Sequence, residues 1–129
     1  MATNTKDQPR QTLEQLRAQD AWVKAGDGLA RHDKDYVNDA KGLPALIMNS
    51  GLMQVMAYLE DKGGRHHTLG QHLRSWLARQ CGTPEEFDGF MQALMEANPG
   101  DYQAITAEAF AWLRWLRQMA AARNGGNNA

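Results

Sequence analysis

A single cysteine, Cys81, stands in 129 residues, so no disulfide can close within the chain and a four-thiolate zinc site is out of reach. β-Branched aliphatics are almost as scarce, two isoleucines and three valines against many Ala, Leu, Met, Gln, Glu and Arg. That balance disfavours sheet and favours helix throughout. No apolar run approaches the ~20 residues of a membrane-spanning helix. The polar opening stretch Met-Ala-Thr-Asn-Thr-Lys-Asp also lacks the apolar core of a secretory signal. A cytoplasmic location without membrane contact is expected. No sign of charge dominates either: 14 Lys and Arg against 15 Asp and Glu leave a net charge of −1. Binding of nucleic acid by bulk positive charge is thereby excluded, and any polyanion contact must come from a local patch or from a neighbouring subunit.

Catalytic signatures are missing as well. There is no Walker-type phosphate loop, no Gly-x-Ser-x-Gly elbow, no His-Glu-x-x-His and no Cys-x-x-Cys. The two serines, Ser50 and Ser75, lie in no recognisable nucleophile context. Arg65-His66-His67, His72 and Cys81 hold enough nitrogen and sulfur for a zinc ion, but their spacing matches no standard finger. Asp33, Asp35 and Asp39 read as a solvated face. The expectation is a protein that is not an enzyme and carries no metal or cofactor.

What is present is helical patterning over a length suited to one domain. The reading is an all-α, compact bundle of five to six helices over 12–123, with a disordered N-terminus at 1–11 and a disordered tail at 124–129. Thr12 and Gln15 form a capping box ahead of a first helix bearing Leu13, Leu16, Val23 and Leu29, ending near Arg31. A short helix is expected over 33–41, ended by Gly42. Leu43 to Leu59 opens with Pro44 and is apolar on nearly every side, so it is expected to be a buried central helix over about 43–62. Thr68 and Gln71 suggest another capping box, before Leu69, Leu73, Trp76 and Leu77 on one inner face. Thr83-Pro84-Glu85-Glu86 is a strong helix start, and a last helix buries Tyr102, Ile105, Ala109, Trp112, Leu113, Leu116 and Ala120.

Among the charges, Phe110, Arg114 and Arg117 fall at i, i+4 and i+7, placing two guanidiniums beside an aromatic ring. That set can hold phosphate and stack on a base or ribose. Taken on pattern alone, the simpler reading is that Arg114, Arg117 and Arg123 complement the negative end of the helix dipole. Lys41, Arg74 and Arg79 are further basic candidates, each equally readable as a surface charge. Trp115 lies away from the centre of the buried stripe and packs either on the first helix or on a partner.

Four short features carry a family likeness. Tyr36 followed by Ala-Lys-Gly-Leu-Pro-Ala-Leu-Ile-Met from Ala40 to Met48, the pairs Gly51-Leu52 and Trp76-Leu77, and the closing Trp115-Leu-Arg117 resemble the small subunit of the type III-B (Cmr) CRISPR RNA-targeting complex. The resemblance covers roughly residues 12–123. It implies a non-catalytic helical subunit that stacks in several copies beside backbone subunits and contacts guide RNA and target RNA. On it, Lys41, Arg74, Arg114 and Arg117 are the implied RNA-binding residues, with Arg79 behind them. The reading from a different class is a helical adaptor that binds only protein.

Overall fold

The computed structural model describes residues 10–128, so the N-terminal expectation falls largely outside the described residues. Within them six helices follow in order: α1 Leu13–His32, α2 Lys34–Ser50, α3 Leu52–Lys62, α4 Gly64–Cys81, α5 Phe87–Glu96 and α6 Pro99–Asn128. The all-α bundle is borne out.

Helix α1 starts where the capping box places it: the Gln15 N–H donates to Thr12 Oγ1 at 3.1 Å and the Thr12 N–H to Gln15 Oε1 at 2.7 Å. Its buried face differs from the expected one. Val23 is 66% exposed, whereas Ala21, Ala25 and Gly28 are the buried positions. Small residues win because neighbouring helices come in close there. A Cβ on Gly28 would stand 2.5 Å from the Tyr36 ring, and one on Gly26 would stand 2.6 Å from Arg123 Nη1.

The expected boundary at Gly42-Leu43-Pro44 is corrected. Helix α2 runs through both Gly42 and Pro44, and the break falls at Gly51, whose φ of +85° is open to glycine and strained for other residues. Tyr36, Val37, Ala40, Leu43 and Ile47 form one continuous buried stripe across Pro44. Burial of that stripe outweighs the roughly 3 kcal/mol that an interior proline costs. Tyr102 secures the break: the Met53 N–H donates to its Oη at 3.2 Å. The Leu43–Leu59 stretch is therefore two helices rather than one. Leu46, Met48 and Tyr58 face outward, and Leu46, Met53, Tyr58 and Met91 line an open apolar groove of about 590 Å³.

Two other starts are corrected. Helix α4 begins at Gly64, so Thr68 lies inside it, buried, and donates back to the Gly64 carbonyl. Its expected inner face of Leu69, Leu73, Trp76 and Leu77 is wholly buried. Helix α5 begins only at Phe87 because the Glu86 carboxylate, not Thr83, accepts from the first-turn amides of Asp88 and Gly89. Helix α6 is capped by Asn98, which accepts from the Asp101 N–H at 2.8 Å, and it continues past Arg123 to Asn128. The stretch 124–128, expected as a tail, is the end of this helix.

Specific contacts give the directions. Arg17 meets Glu108, Asp20 meets Trp112 and Arg123 meets Trp22, so α1 and α6 run parallel. Helix α2 turns back on α1 with Tyr36 over Gly28, and is therefore antiparallel to α6. Helix α4 is antiparallel to α1, pairing His32 with Thr68 and Asp27 with His72.

Candidate nucleic-acid interface and a polar layer

The four implied RNA-binding residues have unlike surroundings. Lys41, Arg114 and Arg117 are exposed and make no ion pair with any described residue. Arg74 is 4% exposed, lies over the Phe87 ring and approaches Glu60 at 3.7 Å. Its guanidinium is buried in the fold, with Nε lacking a hydrogen-bond partner among the described residues. Arg79 is exposed but lies against the Trp76 ring and 3.9 Å from Asp20.

The antiparallel packing of α2 on α6 places the three free cations at similar levels. At 1.5 Å per residue, Lys41 lies about 15 Å from the break at Gly51 and Arg114 about 18 Å from Tyr102, which marks the same level. The exposed side of α6 includes Gln103, Ala104, Ala107, Gln118 and Ala122 alongside Arg114 and Arg117, and among the described residues beyond the first turn its exposed ionised groups are these two arginines. The helix has two carboxylates, Asp101 in the first turn and Glu108, which is buried. Phe110 is partly buried against the core, one turn before Arg114. Trp115 also packs partly on the core of its own bundle.

Between α1, α4 and α6 runs a charged layer that motif reading missed. Arg17 forks onto Glu108 with Nε and Nη2 at 2.8 and 2.7 Å, and the Trp76 indole N–H donates to the same carboxylate at 2.9 Å. Asp20 accepts from Lys24 and from the Trp112 indole, each at 2.9 Å. Asp27 accepts from Arg31 at 3.1 Å and pairs with His72 Nε2 at 2.8 Å. The sequence signal was the heptad spacing of Arg17, Lys24 and Arg31, interleaved with Asp20 and Asp27. Bidentate arginine and indole donors fix the register of α1, α4 and α6.

His72 is the most constrained member. Nε2 faces a carboxylate, so it carries the proton of the neutral ring, and Nδ1 accepts from the Tyr36 hydroxyl at 2.7 Å. Burial lowers the imidazole below its ordinary 6.5, outweighing the pull of Asp27. Burial would raise Asp27, but hydrogen bonds from His72 and Arg31 hold it below the usual carboxylate range. Tyr36 is pushed far up by burial. Because the unfolded chain takes the His72 proton first, this site's stability is complete above pH 6.5 and is lost as pH falls toward the lowered folded value. Urea midpoints should therefore drop between about pH 7.5 and 5.5. His72→Gln, which can both donate to Asp27 and accept from Tyr36, should flatten that slope; an unchanged slope would assign it to other groups.

The remaining metal-ligand candidates diverge. His67 pairs with Glu60 at 3.0 Å, His66 stands edge-on to Tyr58, and Cys81 is exposed at the end of α4. Among the described residues no group of three or more His, Cys, Asp or Glu side chains converges on a metal position.

A small helical bundle with a basic outer strip and, among the described residues, no group of side chains converging on a metal is the class that this geometry defines. The chain belongs to the family described as CRISPR-associated protein (Cas_Cmr5), whose model matches residues 13–123. It is 27% identical over 113 residues to the CRISPR system Cmr subunit Cmr5 of Thermus thermophilus, covering 86% of this chain and 95% of that protein. The crystal structure of a CRISPR-associated Cmr5 family protein from Thermus thermophilus matches with a TM-score of 0.74 at 28% identity. That match covers 88% of this chain and 97% of the other. The likeness read from Tyr36, Ala40–Met48, Trp76-Leu77 and Trp115–Arg117 is thereby supported across the whole bundle.

Proposed function

We propose that this protein is a non-catalytic subunit of a type III-B CRISPR effector. In this reading it stacks in several copies beside the backbone subunits and contacts guide and target RNA through phosphates. Family membership groups it with Cmr subunits, and the observation that favours the RNA role is the uncompensated set of Lys41, Arg114 and Arg117 at one level of the α2–α6 pair. Arginines on a helix surface meet phosphates whatever the base, which leaves sequence reading to guide–target pairing. Arg74 leaves the set because its guanidinium is buried over Phe87.

The apolar groove lined by Leu46, Met53, Tyr58 and Met91 gives the adaptor reading its own observation. In the effector reading that groove serves neighbouring subunits, while the basic strip serves RNA. The same reading puts the assembly in the cytoplasm; none of the described helices is long and apolar enough to cross a membrane.

The test is target capture by the assembled complex. Reversing Arg114 and Arg117 together to Glu should weaken capture of a guide-complementary RNA about tenfold or more at moderate salt, while leaving thermal stability unchanged. Capture equal to wild type would remove these arginines from the RNA path.

A further inference from the structure

The basic surface extends beyond the three residues so far assigned. Asp35 and Asp39 mark one edge of α2, where both meet Arg65 of α4, at 3.9 and 2.7 Å. Lys34 and Lys41 are seven residues apart and so share a side of α2. They lie beyond buried Val37, on the edge away from those carboxylates and from α4, and α6 is the helix packed most extensively along α2. Like Lys41, Lys34 is exposed and makes no ion pair with a described residue. At helical rise it stands about 10 Å further along α2 than Lys41, in the direction of α1.

We infer that Lys34 is an RNA phosphate contact. A single strand would follow the α2–α6 seam from Lys41 past Arg114 and Arg117 to Lys34, along a row of cations spread over two helices. This rests on the effector reading above and names the strand's path within it. A row of this kind takes consecutive phosphates of one strand and carries no groups placed to read base edges. Two exposed carboxylates flank Lys34 in the chain: Asp35 is turned toward Arg65, and Asp33 makes no ion pair with a described residue. Local repulsion therefore makes the Lys34 end of the row the weaker one, and gives the path a test of opposite sign.

The assembled complex, loaded with guide, should be titrated with a complementary single-stranded RNA over a series of KCl concentrations. Lys34→Glu should weaken capture severalfold and lower the salt slope by about 0.7, the value expected for one lost phosphate contact on a single strand. Asp33→Asn should strengthen capture. Lys62→Glu is the control: Lys62 lies over the Tyr58 ring at the end of α3, and its reversal should leave the slope at the wild-type value. Melting curves and subunit stoichiometry must match wild type for each variant. If the Arg114 and Arg117 reversal weakens capture while Lys34→Glu does not, the path is wrong and the effector reading stands. If none of the reversals weakens it, both fall. A loss from Lys62→Glu equal to that from Lys34→Glu would reduce the effect to net charge and overturn the path.

Discussion

Glu108→Ala should lower the unfolding free energy by about 3 kcal/mol or more, seen as a fall of about 1 M or more in the urea midpoint. Three donors converge on this carboxylate: Nε and Nη2 of Arg17 and the indole N–H of Trp76. Truncation strands all three and leaves the Arg17 charge beside apolar core. Arg17 retains 22% side-chain exposure and regains some water, which puts the expected loss at the lower end of the range for broken buried pairs. Glu108→Gln keeps an acceptor for Trp76 and should cost distinctly less. The same carboxylate contributes to an acid limit. Burial would raise its pKa, but Arg17 and Trp76 hold it below the ordinary 4.5. Its stabilisation is present above that value and disappears as pH falls through the lowered one. A loss under about 1 kcal/mol for Glu108→Ala would mean that water replaces all three contacts, and that the layer does not hold the helices in register.

Gly28→Ala should destabilise by about 1–3 kcal/mol, against the stabilisation of almost 1 kcal/mol that the same change makes in an open helix. The added methyl would stand 2.5 Å from three atoms of the Tyr36 ring. That ring is fully buried and tied by its hydroxyl to His72, so it has no easy retreat. Gly42→Ala in α2 is the matched control. It is mid-helix with nothing within 4 Å of the added carbon, and should raise stability by about 0.5–1 kcal/mol. Thermal melts of the two variants should move in opposite directions. Movement in the same direction would show that the Tyr36 ring yields.

How far the sequence was legible follows from which forces act locally. The Thr12–Gln15 cap, the Leu69–Leu77 face and the Ile105–Ala120 stripe were readable because each depends on residues within a few turns. Pro44 misled because a start signal is also tolerated mid-helix when a buried stripe passes across it. Thr68 and Thr83 misled because cap-like residues are common, and only tertiary packing decides which one caps. In α1 the leucines and Val23 drew attention away from Ala21, Ala25 and Gly28, since closeness to a neighbour favours small side chains over large ones.

The candidate interface was legible in part for the same reason. Arg114 and Arg117 could be picked from one helix, because their exposure follows from the stripe opposite them. Arg74 could not be judged, since its burial depends on Phe87 from a different helix. Lys34 was missed because its significance rests on the antiparallel pairing of α2 with α6.

The ties between α1 and α6 join Arg17 to Glu108, Asp20 to Trp112 and Trp22 to Arg123, residues 91, 92 and 101 apart in the chain. Contacts over such distances require loop closure before they contribute, so they form late, after neighbouring helices such as α3 and α4 have paired. Interactions made after the folding barrier slow unfolding without hastening folding. The charged layer thus governs how long a folded molecule lasts rather than how quickly a new one is made.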